Sequence, residues 1–507
     1  MTSVTAVPVA HRWEWRVFGV RLDPGEQALS RMTPLGDAQE TDEIYLLSNE
    51  DSNLKLRFDL LDVKKLIEVD ERGLELWAPI SKSQFPMATE DVYAVFDAIG
   101  VYWAETPREV LTMDQFMEEL VAPHPGLEIV SVHKRRVRYS IESCMAELTS
   151  LTANGRQVKT IAAESEDPDA VAAAIESLGL SGHVNTSYSR GLRCVLGLAP
   201  VRYAVVDIGT NSVKFHIGEQ HDDGSWTRVV DRAEVTRLGE GLDDTGEIQT
   251  EPLERTFTAV DAMVVEAREN DVLAIAAVGT AALRIATNSS LVTDSIRERV
   301  GVPVQVVSGE EESRLAFLAV SAGVGLADGN VVVFDTGGGS TQFTFGHGGE
   351  VDERFSVNVG AVSYTERFGL DQAIDQATLE EARRTLRDDL SSLDGRTPPD
   401  ALVGMGGAMT NITAVALSLD RYDPDVVQGA IVSTDEIERQ IALYASMSHE
   451  ARRAVLGLQP NRAPVILAGT LIVATVMEKL AGTSVVVSDR GLRHGLIAER
   501  FGMFSSV

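Results

Sequence analysis

Cysteine is nearly absent: the chain has two in 507 residues, Cys144 and Cys194. Two cysteines cannot form the disulfide framework that holds small secreted domains, which excludes that class and fits a reducing cytoplasm. Long apolar runs are missing as well. The longest, "PVILAGTLIVATVM" from Pro464, is too short to cross a bilayer and reads as a buried helix. The opening "MTSVTAVPVAHRWEWR" lacks a basic start followed by a long apolar core, so no secretory leader and no membrane partner are expected. Positive charge is scarce, with 45 Lys and Arg against 76 Asp and Glu and a net charge of −31. A chain this acidic does not hold nucleic acid by bulk attraction, and any field that attracts an anion must be local. The length calls for several domains.

What is present is most informative at "VVVFDTGGGSTQF", Val331 to Phe343. A β-branched apolar run stops at an acid, and glycines and hydroxyls follow. Glycines let a backbone approach a ligand closely, and the N–H groups of such a turn can converge on an anion, usually phosphate. Asp335 cannot bind phosphate directly. It fits if a cation such as Mg²⁺ lies between carboxylate and phosphate. Taken alone, the segment also fits a glycine-rich hairpin turn with a capping Asp.

The pattern occurs twice. "YAVVDIGTNSVKFHIG", Tyr203 to Gly218, overlays "VVVFDTGGGSTQFTFG" without a gap. Asp207 falls on Asp335, Gly209 on Gly337 and Ser212 on Ser340. Each copy reads as an apolar strand, a turn, an alternating strand, a further turn ("DDGS" at 222–225, "HGGE" at 347–350) and a third strand. The duplication predicts two halves facing each other across a cleft, each giving one phosphate loop: Gly209, Thr210, Asn211 and Ser212 from the first, and Gly337, Gly338, Gly339, Ser340 and Thr341 from the second. Asp207 and Asp335 are the expected metal ligands.

The first part of the chain has a different texture. "HRWEWRVF" alternates Arg12, Glu14 and Arg16 with Trp13, Trp15 and Val17. "LKLRF" puts Lys55 and Arg57 on one strand face, and "KRRVRY" does the same for Lys134, Arg136 and Arg138. Basic residues at period 2 on several strands predict a barrel or curved sheet with a cationic interior. A solvated sheet face is the alternative.

From Tyr203 to the C-terminus the chain resembles the exopolyphosphatase and guanosine pentaphosphate phosphohydrolase (Ppx/GppA) family. The resemblance rests on "DIGTNSVKF", "AVGTAALRIATN", "VVSGEEESRLAFLAV", "FDTGGGSTQF", "VNVGAVSYTERF", "GMGGAMTNITA" and "SDRGLRHGLIAE", in that order. It implies an α/β pair of domains of the actin, Hsp70 and sugar-kinase fold. The implied activity is Mg²⁺-dependent release of terminal phosphate from polyphosphate or guanosine pentaphosphate, with a link to the stringent response. Some members carry a helical C-terminal module; none is expected after Val507. Arg284 in "TAALR" matches a family arginine at the cleft and could clamp phosphate oxygens, or could be a helix-surface residue. Glu312 in "SGEEESR" matches the glutamate that orients or deprotonates the attacking water, with Ser313 in place of the family's alanine. Glu310 and Glu311 suit a helix N-terminus.

Two departures stand out. Gln342 replaces a glutamate that is taken to bind metal or position the water, and an amide is neither a base nor a good Mg²⁺ ligand. "NRAP" at 461–464 replaces the usual Arg-Ala-Asp. The N-terminal part, with "TDEIYLLS", "MAELTSLTANGRQVKTI" and "NTSYSRGL", resembles the CYTH-like triphosphate-tunnel family, whose Glu-x-Glu-x-Lys signature is reduced here to Glu14. That resemblance implies an α+β antiparallel barrel that binds triphosphate or polyphosphate through Lys55, Arg57, Lys134, Arg136 and Arg138, with little hydrolysis.

The expected domains are 11–192 for the tunnel, 202–325 for phosphatase domain I and 326–507 for phosphatase domain II. The expected protein is a cytoplasmic phosphohydrolase, compatible with a homodimer. A catalytically weakened binding or sensing protein and a kinase-like nucleotide hydrolase remain as alternatives.

Overall fold

A computed structural model of the chain describes residues 11–48, 52–98, 100–103, 105–324, 329–348 and 350–503. The first ten residues of the supposed non-leader, Gly349 of the second turn, and residues 325–328 near the expected second boundary lie outside the described residues. The chain divides into two compact units, Met1–Val306 with Arg500–Val507, and Val307–Glu499.

The first unit begins with a closed antiparallel barrel of eight strands. In order around the barrel these are Arg12–Gly19, Arg156–Ser165, Cys144–Ala153, Glu128–Ile141, Gln39–Leu47, Ser52–Arg57, Leu60–Val69 and Glu75–Gln84, the last pairing back to the first. Closure removes the sheet edges, and the pleat sends alternate side chains inward and outward. On two parts of the outer wall the residues are apolar and covered, while His133 and Arg135 face outward exposed. Leu54, Leu56, Leu61 and Val63 pack with Phe96 and Phe116. Trp15, Val17, Ile161 and Ala163 pack with Val171 and Ile175. The barrel predicted from the period-2 basic residues is therefore present.

Each unit also holds one mixed sheet, and the two sheets have the same construction. In the first unit the order is Trp226–Val235, Ser212–Gln220, Val201–Ile208, Ala274–Gly279, Val304–Val306. In the second it is Glu350–Val357, Thr341–His347, Asn330–Thr336, Ala401–Met405, Ser484–Ser488, Ile431–Ser433. In both, three antiparallel strands form a meander whose first strand pairs in parallel with the next strand along the chain. The duplication extends to irregularities. A register shift falls between Ile217 and Gly218 in one copy and between Phe345 and Gly346 in the other, positions that coincide in the ungapped overlay.

The apolar run at Pro464 forms the helix Ile466–Lys479, whose residues 466–477 are all buried in the second unit's core. Among the described residues no helix is long and apolar enough to cross a membrane.

Candidate active site and a charged barrel lumen

The two acid-glycine-hydroxyl turns are hairpins of one design. Gly209 N donates to Ser212 O at 3.1 Å, and Gly337 N donates to Ser340 O at 2.9 Å. Each hairpin is then strapped from behind. In the first, Thr236 N and Arg237 N donate to Asn211 O, and Gly239 N to Thr210 O. In the second, Ala361 N donates to Gly337 O, and Val362 N and Ser363 N to Gly338 O. Thr341 Oγ1 is buried and donates to Val359 O at 2.7 Å. Carbonyls are thereby drawn into the protein while Thr210, Asn211 and Gly337–Gly339 stay exposed. The motif "VNVGAVSYTERF" now has a physical reason: a Cβ on Gly360 would lie 2.2 Å from Gly338 O, so only glycine lets the strap approach.

Asp207 and Asp335 end the first strand of each meander but differ in surroundings. Asp207 is 4% exposed, with Lys214 Nζ 3.8 Å from its carboxylate. Asp335 is exposed and lies directly across the ladder from Gln342, which is also exposed. Gly406, on the neighbouring parallel strand's continuation, has φ +80°, and a Cβ there would lie 2.1 Å from Asp335 Oδ1. The missing side chain is what leaves room for the carboxylate. Arg462, which the sequence shows only as part of the departing "NRAP" segment, rests its guanidinium on the next glycine, with Nη2 2.5 Å from where a Gly407 Cβ would stand. The signal was in the motif "GMGGAMTNITA", whose third glycine, Gly407, is the platform.

Arg284 is exposed on the helix Ala281–Ile285. That helix follows the strand paired in parallel with Val201–Ile208, and Thr280 N donates to Ile208 O. Arg284 thus shares one end of the first sheet with the loop 209–212. Glu312 sits in the first turns of the helix Gly309–Val324, in the second unit with Asp335 and the loop 337–341. Ser308 opens that helix: its Oγ accepts from Glu311 N and its carbonyl from Glu312 N. Of the three acids there, Glu310 is exposed and Glu311 is held by Arg314 through two 2.9 Å contacts.

The barrel lumen is a cavity of about 120 Å³. Lys55, Lys134, Arg136 and Arg138 line it as expected, joined by Arg16 and Lys64. Arg57 is nearby, 3.6 Å from Glu43. The cationic interior expected from the sequence also holds acids, since Glu14, Asp62, Glu147 and Glu164 line the same cavity. Packing that many cations in one lumen without counter-charge is too costly, and each acid answers a base. Arg16 meets Glu147 at 3.0 Å, Lys55 meets Asp62 at 3.4 Å, and Lys64 meets Glu14. Lys134, 1% exposed, donates to Glu43 at 2.8 Å and to Tyr45 Oη at 2.6 Å, and stands 3.9 Å from the Tyr188 ring centre. Burial pulls Lys134 down to about 8, against the pull of Glu43. Burial pushes Glu43 up, but Lys134 and Lys55 overcome it and hold the carboxyl at about 2. Arg138 has no acid partner among the described residues, and its Nε is buried without a hydrogen bond.

Two mixed sheets of like strand order, each carrying the same hairpin, define the class: a duplicated α/β protein preceded by a barrel. Residues 190–503 match the model of the Ppx/GppA phosphatase family, and the chain belongs to that family. An exopolyphosphatase 2 of Mycobacterium tuberculosis is 30% identical over 56% of this chain and 92% of its own length. A guanosine-5'-triphosphate,3'-diphosphate pyrophosphatase of Vibrio parahaemolyticus is 27% identical, over 60% of each chain. The crystal structure of the Aquifex aeolicus Ppx/GppA phosphatase, type II variant, superposes with a TM-score of 0.55 at 32% identity, covering 59% of this chain and 99% of that one. The chain spans 46% of the length of one curated relative, a bifunctional 3-dehydroquinate synthase/phosphatase of Fusobacterium nucleatum, and 92% of the exopolyphosphatase 2.

Proposed function

We propose that the chain is a cytoplasmic, Mg²⁺-dependent phosphohydrolase that removes terminal phosphate from inorganic polyphosphate or guanosine pentaphosphate. The observation that carries this reading is the pair of strapped hairpins, each with exposed loop backbone beside an acid. The names of the two curated relatives supply the substrate class. Phosphoryl transfer to water is chiefly a matter of positioning and of neutralising charge.

In this reading Gly209–Ser212 and Gly337–Thr341 hold phosphate oxygens through backbone N–H groups and hydroxyls. Arg284, with Arg462 in addition, clamps them with charge-assisted hydrogen bonds. Glu312 accepts a proton from the attacking water, or holds its hydrogen bond. In the second hairpin the donor set fits a hard cation, with Asp335 exposed beside the space left by Gly406 and Gln342 directly opposite it, and Asp207 is the corresponding acid of the first hairpin. When bound, Mg²⁺ would neutralise phosphate charge. Asp335 is the better placed ligand, because Lys214 already offsets part of the charge on Asp207.

The barrel is proposed to be a CYTH-like tunnel for polyphosphate, spanning 11–192, that serves phosphatase domains at 202–325 and 326–507. Six cations against four acids, or five with Glu43, leave the lumen slightly positive in a chain of net charge −31. A tether to such a tunnel raises substrate concentration at the enzyme. A second reading, a polyphosphate-sensing protein with slow turnover, is favoured by one observation, the amide of Gln342 opposite Asp335. Phosphate release from long-chain polyphosphate, guanosine pentaphosphate and ATP, measured in parallel with and without Mg²⁺, separates hydrolase from sensor and from nucleotide hydrolase.

A further inference from the structure

Arg354 lies on the strand Glu350–Val357, outside every motif that points to the site. Its guanidinium reaches the first turn of the helix Gly309–Val324. Nη1 donates to Gly309 O and, at 2.8 Å, to Ser313 Oγ. Nη2 is 3.9 Å from Glu310 Oε1. Ser313 Oγ in turn donates to Gly309 O at 3.0 Å. A Cβ on Gly309 would stand 3.2 Å from Nη2, so the guanidinium is pressed against the turn.

The location is electrostatically odd. The start of a helix is its positive end, and a cation there is opposed by the macrodipole. Glu310, Glu311 and Glu312 offset that cost, yet Glu311 is already engaged by Arg314, which also reaches Glu499 at 2.6 Å. What Arg354 gains is geometric: one planar group bridges a carbonyl and a hydroxyl one helical turn apart. Glu312 stands between these two contacts in the sequence. The bridge also runs to a particular place. Arg354 pairs with Thr344, and the strand Thr341–His347 pairs with Asn330–Thr336, which carries Asp335. The arginine therefore pins the Glu312 turn to the sheet that ends in Asp335. Ser313 stands where the family pattern has alanine, so the hydroxyl contact belongs to this chain.

We propose that Arg354 and Ser313 are positioning residues for Glu312, fixing the rotational setting of its helical turn against the Asp335 sheet. The inference rests on the reading of Glu312 as the residue that handles the attacking water. It predicts an effect on turnover and not on substrate affinity, because neither residue is asked to touch phosphate.

The test is steady-state phosphate release from polyphosphate by the full chain, with melting temperature measured alongside. Arg354→Ala should lower kcat by about tenfold with KM changed less than about twofold. Arg354→Lys keeps a donor without the planar fork and should recover part of that loss. Ser313→Ala, a change to a good helix former, should lower kcat by about threefold alone and add nothing in the Arg354→Ala background, because the two groups act as one unit. If Arg354→Ala does not fold, Arg354→Lys and Ser313→Ala carry the same kcat and KM split. A parent-like kcat in the Arg354 and Ser313 variants while Glu312→Gln loses turnover overturns the inference and leaves the reading of Glu312 intact. Independent, multiplicative losses overturn the coupling. Full turnover in Glu312→Gln, or no phosphate release by the parent, overturns the reading and the inference with it.

Discussion

Asp335 and Gln342 are directly opposite each other on adjacent antiparallel strands, so their side chains share one exposed face. In the first repeat the same two positions are Asp207 and Lys214, which approach to 3.8 Å. One copy of the hairpin thus meets its acid with a cation, and the other with a neutral amide.

Gln342→Glu should raise Mg²⁺-dependent phosphate release. Both residues of the pair are exposed, so the new carboxylate stays solvated and its repulsion from Asp335 is weakened by solvent. A gain of about tenfold needs only about 1.4 kcal/mol of transition-state stabilisation. Initial rates against Mg²⁺ concentration check it. A variant with neither faster release nor tighter Mg²⁺ dependence argues for the sensing protein.

Lys134 gives the barrel a pH signature. With its pKa pulled down to about 8 by burial, the ammonium is present at neutral pH and lost as pH rises through about 8. Affinity for polyphosphate should therefore fall as pH goes from about 7 to about 9, with proton uptake on binding near the midpoint. Glu43, held at about 2, and Arg16, pulled down by burial but raised on balance by Glu147, share that environment and keep their charges across the range. Lys134→Arg cannot deprotonate and should flatten the profile. Calorimetric titration at three pH values decides it. An unchanged slope in the variant removes Lys134 from ligand binding.

Gly360→Ala should both destabilise the chain and slow it. The added methyl meets Gly338 O at 2.2 Å, so the strap or the loop must move. Overpacking of this kind costs about 1–3 kcal/mol. Denaturant unfolding gives the stability loss, and KM for polyphosphate should rise because the displaced loop is the phosphate cradle. An unaffected KM would detach the loop 337–341 from substrate binding.

The repeat was the most legible feature of the sequence, because strand, acid, glycine and hydroxyl recur at fixed spacing and one overlay aligns both hairpins. The barrel was legible through Lys134, Arg136 and Arg138, whose spacing of two puts them on one face. Its acids were not. Glu43 and Glu147 also obey period 2, between Thr41 and Tyr45 and between Met145 and Thr149, but their pairing with Lys134 and Arg16 depends on register across distant strands. Arg462 and Arg354 were hidden for the same reason. Each acts through a neighbour far away in sequence, Gly407 in one case and Gly309 in the other.

Glu312 carries the central chemical role in the proposed phosphohydrolase. Glu312→Gln removes the proton acceptor and leaves both hairpins, Arg284 and the barrel untouched. Phosphate release from long-chain polyphosphate in Mg²⁺ should fall by about two to four orders of magnitude, the range expected for general acid–base catalysis, while polyphosphate binding stays within about twofold of the parent. Equal turnover in the variant and the parent would contradict the assignment of the active site.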